Sequence, residues 1–183
     1  MKLLGSGHAD GKSSVYTLFG WLALCYAAAF FGSQFSPSSA GTDVWYASLN
    51  KPSWNPPGWV FGPVWGTLYT LMGVAAWLVW KAGKSTSSGG ATSGAHQARG
   101  RTALPLTLFV LQLCANALWS FFFFGLRNPG LAFADICVLQ LAIALTIWSF
   151  WKVNRLAGML MLPYIAWVTF ASVLNFTLLR MNG

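Results

Sequence analysis

Few residues in this chain have the types and spacing that covalent chemistry requires. It holds three acids, two His and three Cys in 183 residues. No Ser-His-Asp set, paired carboxylates or Cys-His metal spacing can be assembled from them. No Walker or dinucleotide glycine loop is present either. Hydrolysis, metal catalysis and ATP-driven pumping are left without residues to perform them, and no metal or cofactor is expected. Cys25, Cys114 and Cys137 fall inside apolar runs with no paired spacing, so they read as packing residues. What remains is a set of indoles, phenols and amides set into apolar sequence. That set suits the binding of a flat, aromatic, partly apolar ligand.

The eleven tryptophans divide by depth. Trp77, Trp80, Trp148 and Trp151 stand near Lys81 and Lys152, and Trp54 and Trp59 lie at the opposite boundary, as interfacial belt residues do. Trp65, Trp119 and Trp167 lie deeper. At 1.5 Å of helical rise per residue they sit roughly 10, 9 and 18 Å from the outer ends of their runs. Asn116 falls roughly 13 Å from that end, Asp135 roughly 8 Å and Asn175 roughly 6 Å, with Gln112 and Gln140 nearer the middle. An acid at such depth costs at least about 2.5–3.5 kcal/mol, so Asp135 must face the bundle or a wet cavity. Ordinary interhelical hydrogen bonding accounts equally well for Gln112 and Gln140. Asn116 and Trp119, one turn apart and level with Trp65, favour a pocket. Trp65, Tyr69, Met72 and Ala76 share one helix face, a pattern that helix packing also produces. Gly62-x-x-x-Gly66 serves either a contact within the chain or a dimer.

These side chains need a scaffold, and composition dictates its kind. The chain is 56% hydrophobic and 8% charged, whereas soluble domains carry about 25% charged residues. Five apolar runs, 16–35, 58–80, 103–125, 131–151 and 156–179, stand out. Each is close to the ~20 residues that cross ~30 Å of hydrocarbon as a helix. The alternation of outer-membrane strands is absent. The predicted fold class is an all-α membrane protein, a bundle of five transmembrane helices forming one domain over 16–180, behind a disordered segment at 1–15. The first run is too long for a signal-peptide core, so it is kept as a mature helix. The net charge of +8 is scattered at helix ends, which is a membrane pattern and not a nucleic-acid footprint. Lys and Arg split eight to three between the two sides, placing the N-terminus inside if the host is a bacterial inner membrane.

The connections are informative too. Between 44 and 57 the chain is crowded with Trp and Pro. Pro52, Pro56 and Pro57 stiffen it, and Pro57-Gly58 opens the second run as a helix start tolerates. This loop is expected to act as a lid. Residues 84–101 read as a flexible Gly/Ser linker with a solvated His96 and no chemistry. Pro163 falls inside the last run, where a kink is expected.

Three stretches carry a resemblance: KPSWNPPGWVFGPVWGTLYTLMG, ANALWSFFFFG (115–125) and PYIAWVTFASVLN (163–175). Together they resemble the translocator protein family, also called tryptophan-rich sensory proteins or peripheral benzodiazepine receptors, over roughly 45–180. The resemblance implies a five-helix membrane protein, often a homodimer, that binds protoporphyrin IX or haem in a pocket capped by the first loop. It further implies cholesterol and isoquinoline- or benzodiazepine-type ligands as partners. Trp65 and Trp167 match the family pair linked to light-dependent porphyrin breakdown. Asn116 matches the pocket asparagine of the third helix, and Ala171 the position that tunes the ligand response. The chain departs from the family's sterol motif at Phe176, where Tyr is usual. The candidate ligand-binding set is Trp54, Trp65, Tyr69, Asn116, Trp119, Asp135, Trp167 and Ala171, with Trp65 and Trp167 as candidate redox indoles. The expected function is a membrane tetrapyrrole-binding translocator or sensor. The alternatives are a light- and oxygen-dependent porphyrin-degrading enzyme and a sterol- or lipid-binding transporter. The expected location is a bacterial, mitochondrial or other organellar membrane.

Overall fold

The computed structural model describes residues 6–36, 42–87 and 92–183, with side chains over 13–36, 44–84 and 101–183. Among the described residues the chain is helical, without strand. Its helices are α1 (Ser6–Ser33), α2 (Thr42–Ser48), α3 (Phe61–Ser87), α4 (Thr92–Ser120), α5 (Pro129–Val153), α6 (Arg155–Leu160) and α7 (Leu162–Asn182). A 3-10 turn, Gly58–Val60, leads into α3, and a π turn, Phe121–Gly125, ends α4. Five spans are long and apolar enough to cross a membrane: Ser13–Ser33, Gly58–Lys84, Arg101–Gly125, Pro129–Val153 and Arg155–Asn182. The chain is an integral, multi-pass membrane protein. Its many exposed Leu, Val and Phe side chains face what would be lipid.

The element ends follow local chemistry. Asn128 caps α5, its Oδ1 accepting from Leu131 N at 2.9 Å, with Pro129 in the first turn where its missing N–H is harmless. Asn154 serves two helices. Its N–H donates to Phe150 O at 2.7 Å, closing α5, while its Oδ1 accepts from Ala157 N at 3.1 Å, opening α6. The corner between them is tight. A Cβ on Gly158 would stand 2.6 Å from Trp151 Cε3, so only glycine fits. The kink expected at Pro163 appears as a break two residues earlier, at Met161, which separates α6 from α7. Proline lacks an N–H and crowds the carbonyl four residues back, so the chain restarts with Pro163 in the first turn.

Two boundaries differ from expectation. Helix α1 opens at Ser6, ahead of the expected start at 16, and residues 1–5 lie outside the described residues. The 84–101 linker is shorter than its composition suggests, because α3 runs on to Ser87 and α4 begins at Thr92. Once a span has nucleated a helix, each added residue gains a hydrogen bond at little further cost. Positions 88–91 of that linker lie outside the described residues.

Packing sets the cavity's place. Helix α4 lies between α3 and α5, α7 packs on α5, and α1 leans on α3 and α4. The small residues Ala75 and Ala76 and the larger Met72 and Val79 bury one face of α3 against Phe109 and Leu113 of α4. Phe109 stacks on Phe150 of α5, centroids 5.8 Å apart at 19°. This dense core fills the half of the bundle that holds Lys84 and Lys152. The other half is more open.

Candidate functional site

In that open half, α1, α3, α4, α5 and α7 diverge around a cavity of about 910 Å³. Helix α3 contributes Trp65 and Tyr69, and α4 contributes Asn116 and Trp119. From α7 come Trp167, Ala171 and Asn175, and from α5 Ile136 and Leu139. Loop one adds Tyr46, Asn55 and Pro56. Six of the eight sequence-picked residues therefore meet around one space: Trp65, Tyr69, Asn116, Trp119, Trp167 and Ala171.

Two do not. Trp54 is exposed and sets its ring edge-on to Phe170, centroids 5.9 Å apart. Phe170 takes the cavity position, and Trp54 stands behind it. Asp135 is half-buried on α5, but Ile136 and Leu139 hold the positions facing the cavity. At 3.6 residues per turn, a one-residue offset swings a side chain about 100° around the helix. Asp135 Oδ2 is buried and makes no hydrogen bond.

The polar groups at the cavity are few and mostly committed. Tyr69 Oη donates to Asn116 Oδ1 at 2.5 Å, and both residues are buried. Trp65 stacks on Tyr69, centroids 5.4 Å apart at 30°, and meets Tyr164 edge-on at 6.3 Å. Trp119 Nε1 donates to Asn175 Oδ1 at 3.0 Å. Tyr26 Oη of α1 pairs with Thr70 Oγ1 at 2.8 Å and with Gly66 O at 3.2 Å, holding α1 to α3 at the cavity's edge. Trp167 differs: its Nε1 is buried without a hydrogen-bond partner.

The glycine pair left open by its spacing now has a surrounding. A Cβ built on Gly62 or on Gly66 meets nothing within 4 Å. Both line the cavity, so at neither is the missing side chain what lets another helix of the chain come close. By contrast, a Cβ on Gly73 would stand 2.7 Å from Leu22 Cδ2, and this is where α1 and α3 come close.

Loop one rests on the π turn. There Leu126 N reaches back five residues to Phe121 O at 2.8 Å. The widened turn directs Phe123 inward, 2% exposed, under Trp45 and Tyr46, centroids 5.7 and 6.3 Å away. Phe124 meets Tyr46 at 5.6 Å. Tyr46 Oη also donates to Asn55 Oδ1 at 3.2 Å. Burial pushes that phenol's pKa above its usual value and the bond to Asn55 draws it back, so the ring stays neutral. The loop's middle is tied to α7: Asn50 N donates to Asn182 Oδ1 at 2.8 Å, and Asn182 Nδ2 donates back to Asn50 O at 3.0 Å.

Reading the residues alone missed Asn175, Tyr26 and Phe123 as site residues. Asn175 had a signal, because it lies four residues beyond Ala171 and eight beyond Trp167 on one face of a helix. Tyr26 and Phe123 had none, since an aromatic in a membrane run is ordinary.

The fold and the cavity together define a class: a five-span helical membrane protein with an aromatic chamber between its helices. The chain belongs to the TspO/MBR family, whose model matches residues 21–181. It is 39% identical over 171 residues to the tryptophan-rich protein TspO of Chlorobaculum tepidum, covering 93% of this chain and 99% of that one. It is 44% identical to the human translocator protein over 138 residues, 75% of each chain. With the tryptophan-rich sensory protein of Cereibacter sphaeroides it shares 38% identity over 162 residues, covering 88% and 89%. It is thus a membrane protein of a translocator and sensor family.

Proposed function

We propose that this protein binds a tetrapyrrole, protoporphyrin IX or haem, in the 910 Å³ cavity and acts as its carrier or sensor, with loop one as the cover. One observation carries the reading. The cavity is walled by the rings of Trp65, Tyr69, Trp119, Trp167 and Phe170, with the polar side chains of Tyr26, Asn55 and Ser120 among them. Its size lies within the roughly 300–1,000 Å³ of small-molecule pockets, which are mostly apolar with a few polar groups that fix orientation. A flat macrocycle bearing carboxylates or carbonyls uses both features, the rings for area and the hydroxyls and amide for its polar edge. Among the described residues the lining holds no His, Cys or Met, and the chain's two His are His8 and His96. Haem would therefore be held by ring contacts and propionates and not by an iron ligand from those side chains. The names of the relatives, translocator and sensory protein, agree with a carrier or sensor.

A second reading is favoured by the oxidisable rings around the cavity. Trp65 is in ring contact with Tyr69 and Tyr164, and Trp167 lines the same cavity. Such indoles can give an electron to a photoexcited porphyrin, with oxygen as final oxidant, and the protein would then degrade its ligand.

Titration of the purified protein with protoporphyrin IX, followed by Trp fluorescence in the dark and then under illumination, tests both readings. Saturable quenching in the dark is the expected result, and its absence would remove the binding reading. For the second reading, light and oxygen should yield a photoproduct that the Trp65→Phe/Trp167→Phe variant fails to make at matched occupancy, because Phe is far harder to oxidise. Equal yield from the variant would leave binding alone.

A further inference from the structure

The wall of this cavity is built on one buried amide. Asn175 of α7 is 1% exposed, and it uses both ends of its side chain. Its Oδ1 accepts from Trp119 Nε1 of α4 at 3.0 Å, and its Nδ2 donates to Pro129 O at the start of α5 at 2.9 Å. One side chain thereby joins three helices at the level of the cavity. An indole has a single N–H, so fixing that atom leaves the ring little freedom to turn. Trp119 then lays its face on Phe123, centroids 5.2 Å apart at 22°, and meets Phe124 edge-on at 6.0 Å. Phe123 in turn receives the edges of Trp45 and Tyr46 from loop one.

We infer that Asn175 is a positioning residue: by holding the Trp119 indole it sets one wall of the ligand cavity and, through Phe123, the seat of loop one. The inference rests on the tetrapyrrole-pocket reading for its functional meaning, but the bond itself can be tested without any ligand. Asn175 acts through Trp119, because its own polar atoms are turned to protein partners. In a Trp119→Phe background there is no indole N–H left to hold, and Asn175 should lose its influence on binding.

Indole N–H signals of the 15N-Trp-labelled protein, without ligand, give the first readout. Trp119 is assigned by the peak lost in Trp119→Phe, and Trp167 by the peak lost in Trp167→Phe. In the unmodified protein the Trp119 N–H should exchange with deuterium more slowly than the unpaired Trp167 N–H. Asn175→Leu, close in volume, should shift the Trp119 signal and speed its exchange. Protoporphyrin IX affinity should fall about 3- to 10-fold in Asn175→Leu, the effect of losing one such bond, and should not change further when Asn175→Leu is added to Trp119→Phe. Additive losses in the double variant would overturn the proposal. So would a Trp119 N–H that exchanges as fast as that of Trp167 in the unmodified protein, a measurement that stands even if Asn175→Leu does not fold. Should protoporphyrin IX fail to bind the unmodified protein, the pocket reading falls while the indole signals still decide the role of Asn175.

Discussion

At the residue scale, glycines of one helix play opposite parts, and stability should report it. Gly66 of α3 faces open cavity, and a Cβ there meets nothing within 4 Å. Alanine is better than glycine in a helix interior by about 0.8–1.0 kcal/mol, so Gly66→Ala should raise the melting temperature. Gly73 sits on the same helix against α1, where a Cβ would stand 2.7 Å from Leu22 Cδ2 and 3.2 Å from Leu22 Cα. Relief there requires moving backbone, so Gly73→Ala should lower it. Thermal unfolding of the two variants in one detergent checks the signs, and shifts in the same direction would contradict these placements. That Trp65, Asn116 and Trp119 come to one level was legible in the sequence, because rise per residue sets position along a helix. The direction of each side chain was less so. In a membrane the outer face of a helix is as apolar as its core, so periodicity carries little information about which way a residue looks. That is why the sequence does not say that Ile136 and not Asp135 lines the cavity, and why Gly62-x-x-x-Gly66 fits two roles.

At the element scale, loop one is held by two separate devices. One is aromatic, Trp45 and Tyr46 on Phe123 and Phe124 of the π turn. The other is the two-way pairing of Asn50 with Asn182, whose Nδ2 also reaches Leu178 O at 2.8 Å. Asn182→Ala removes the second device and leaves the first. Amide exchange across 44–57 should quicken by roughly tenfold, the consequence of about 1–2 kcal/mol lost from partly exposed hydrogen bonds, while helical content holds. Exchange that does not change would assign the loop's hold to the rings alone. The five spans were legible because an apolar run of about 20 residues with almost no charge is a membrane helix far more often than a buried soluble one. Proline and asparagine marked where α5 and the final span begin and break. The pairing of Asn50 with Asn182 was not legible, since nothing local links two residues 132 positions apart. The π turn was hidden for another reason: FFFFG reads as the end of an ordinary helix, and only the seating of Phe123 beneath the loop reveals the wider step.

At the scale of the whole molecule, charge decides which side of the bilayer the cavity serves. Lys81 lies over the Trp77 ring at 5.0 Å from its centroid, Lys84 over Trp80 at 4.5 Å and Lys152 over Trp148 at 3.3 Å. All three pairs belong to the densely packed half. The start of the first span is tied to the same end, where Trp77 Nε1 donates to Ser14 O at 2.9 Å. Among the described side chains, the opposite end, around the cavity, holds Lys51, Arg127 and Arg180, against Lys81, Lys84, Arg101, Lys152 and Arg155 on the packed side. Basic residues in short loops are retained on the cytoplasmic side during insertion. In a bacterial inner membrane the packed end should therefore face the cytoplasm, and the cavity, loop one and the C-terminus the outside. Reporter fusions after Arg180 and within 85–94 measure this, the first expected to report the outer compartment and the second the cytoplasm. Three spans separate the two fusion sites, so a pair reporting one compartment would contradict the count of spans. A reversed pair would keep the fold but turn the cavity toward the cytoplasm, and a ligand would then be taken up from the inner side.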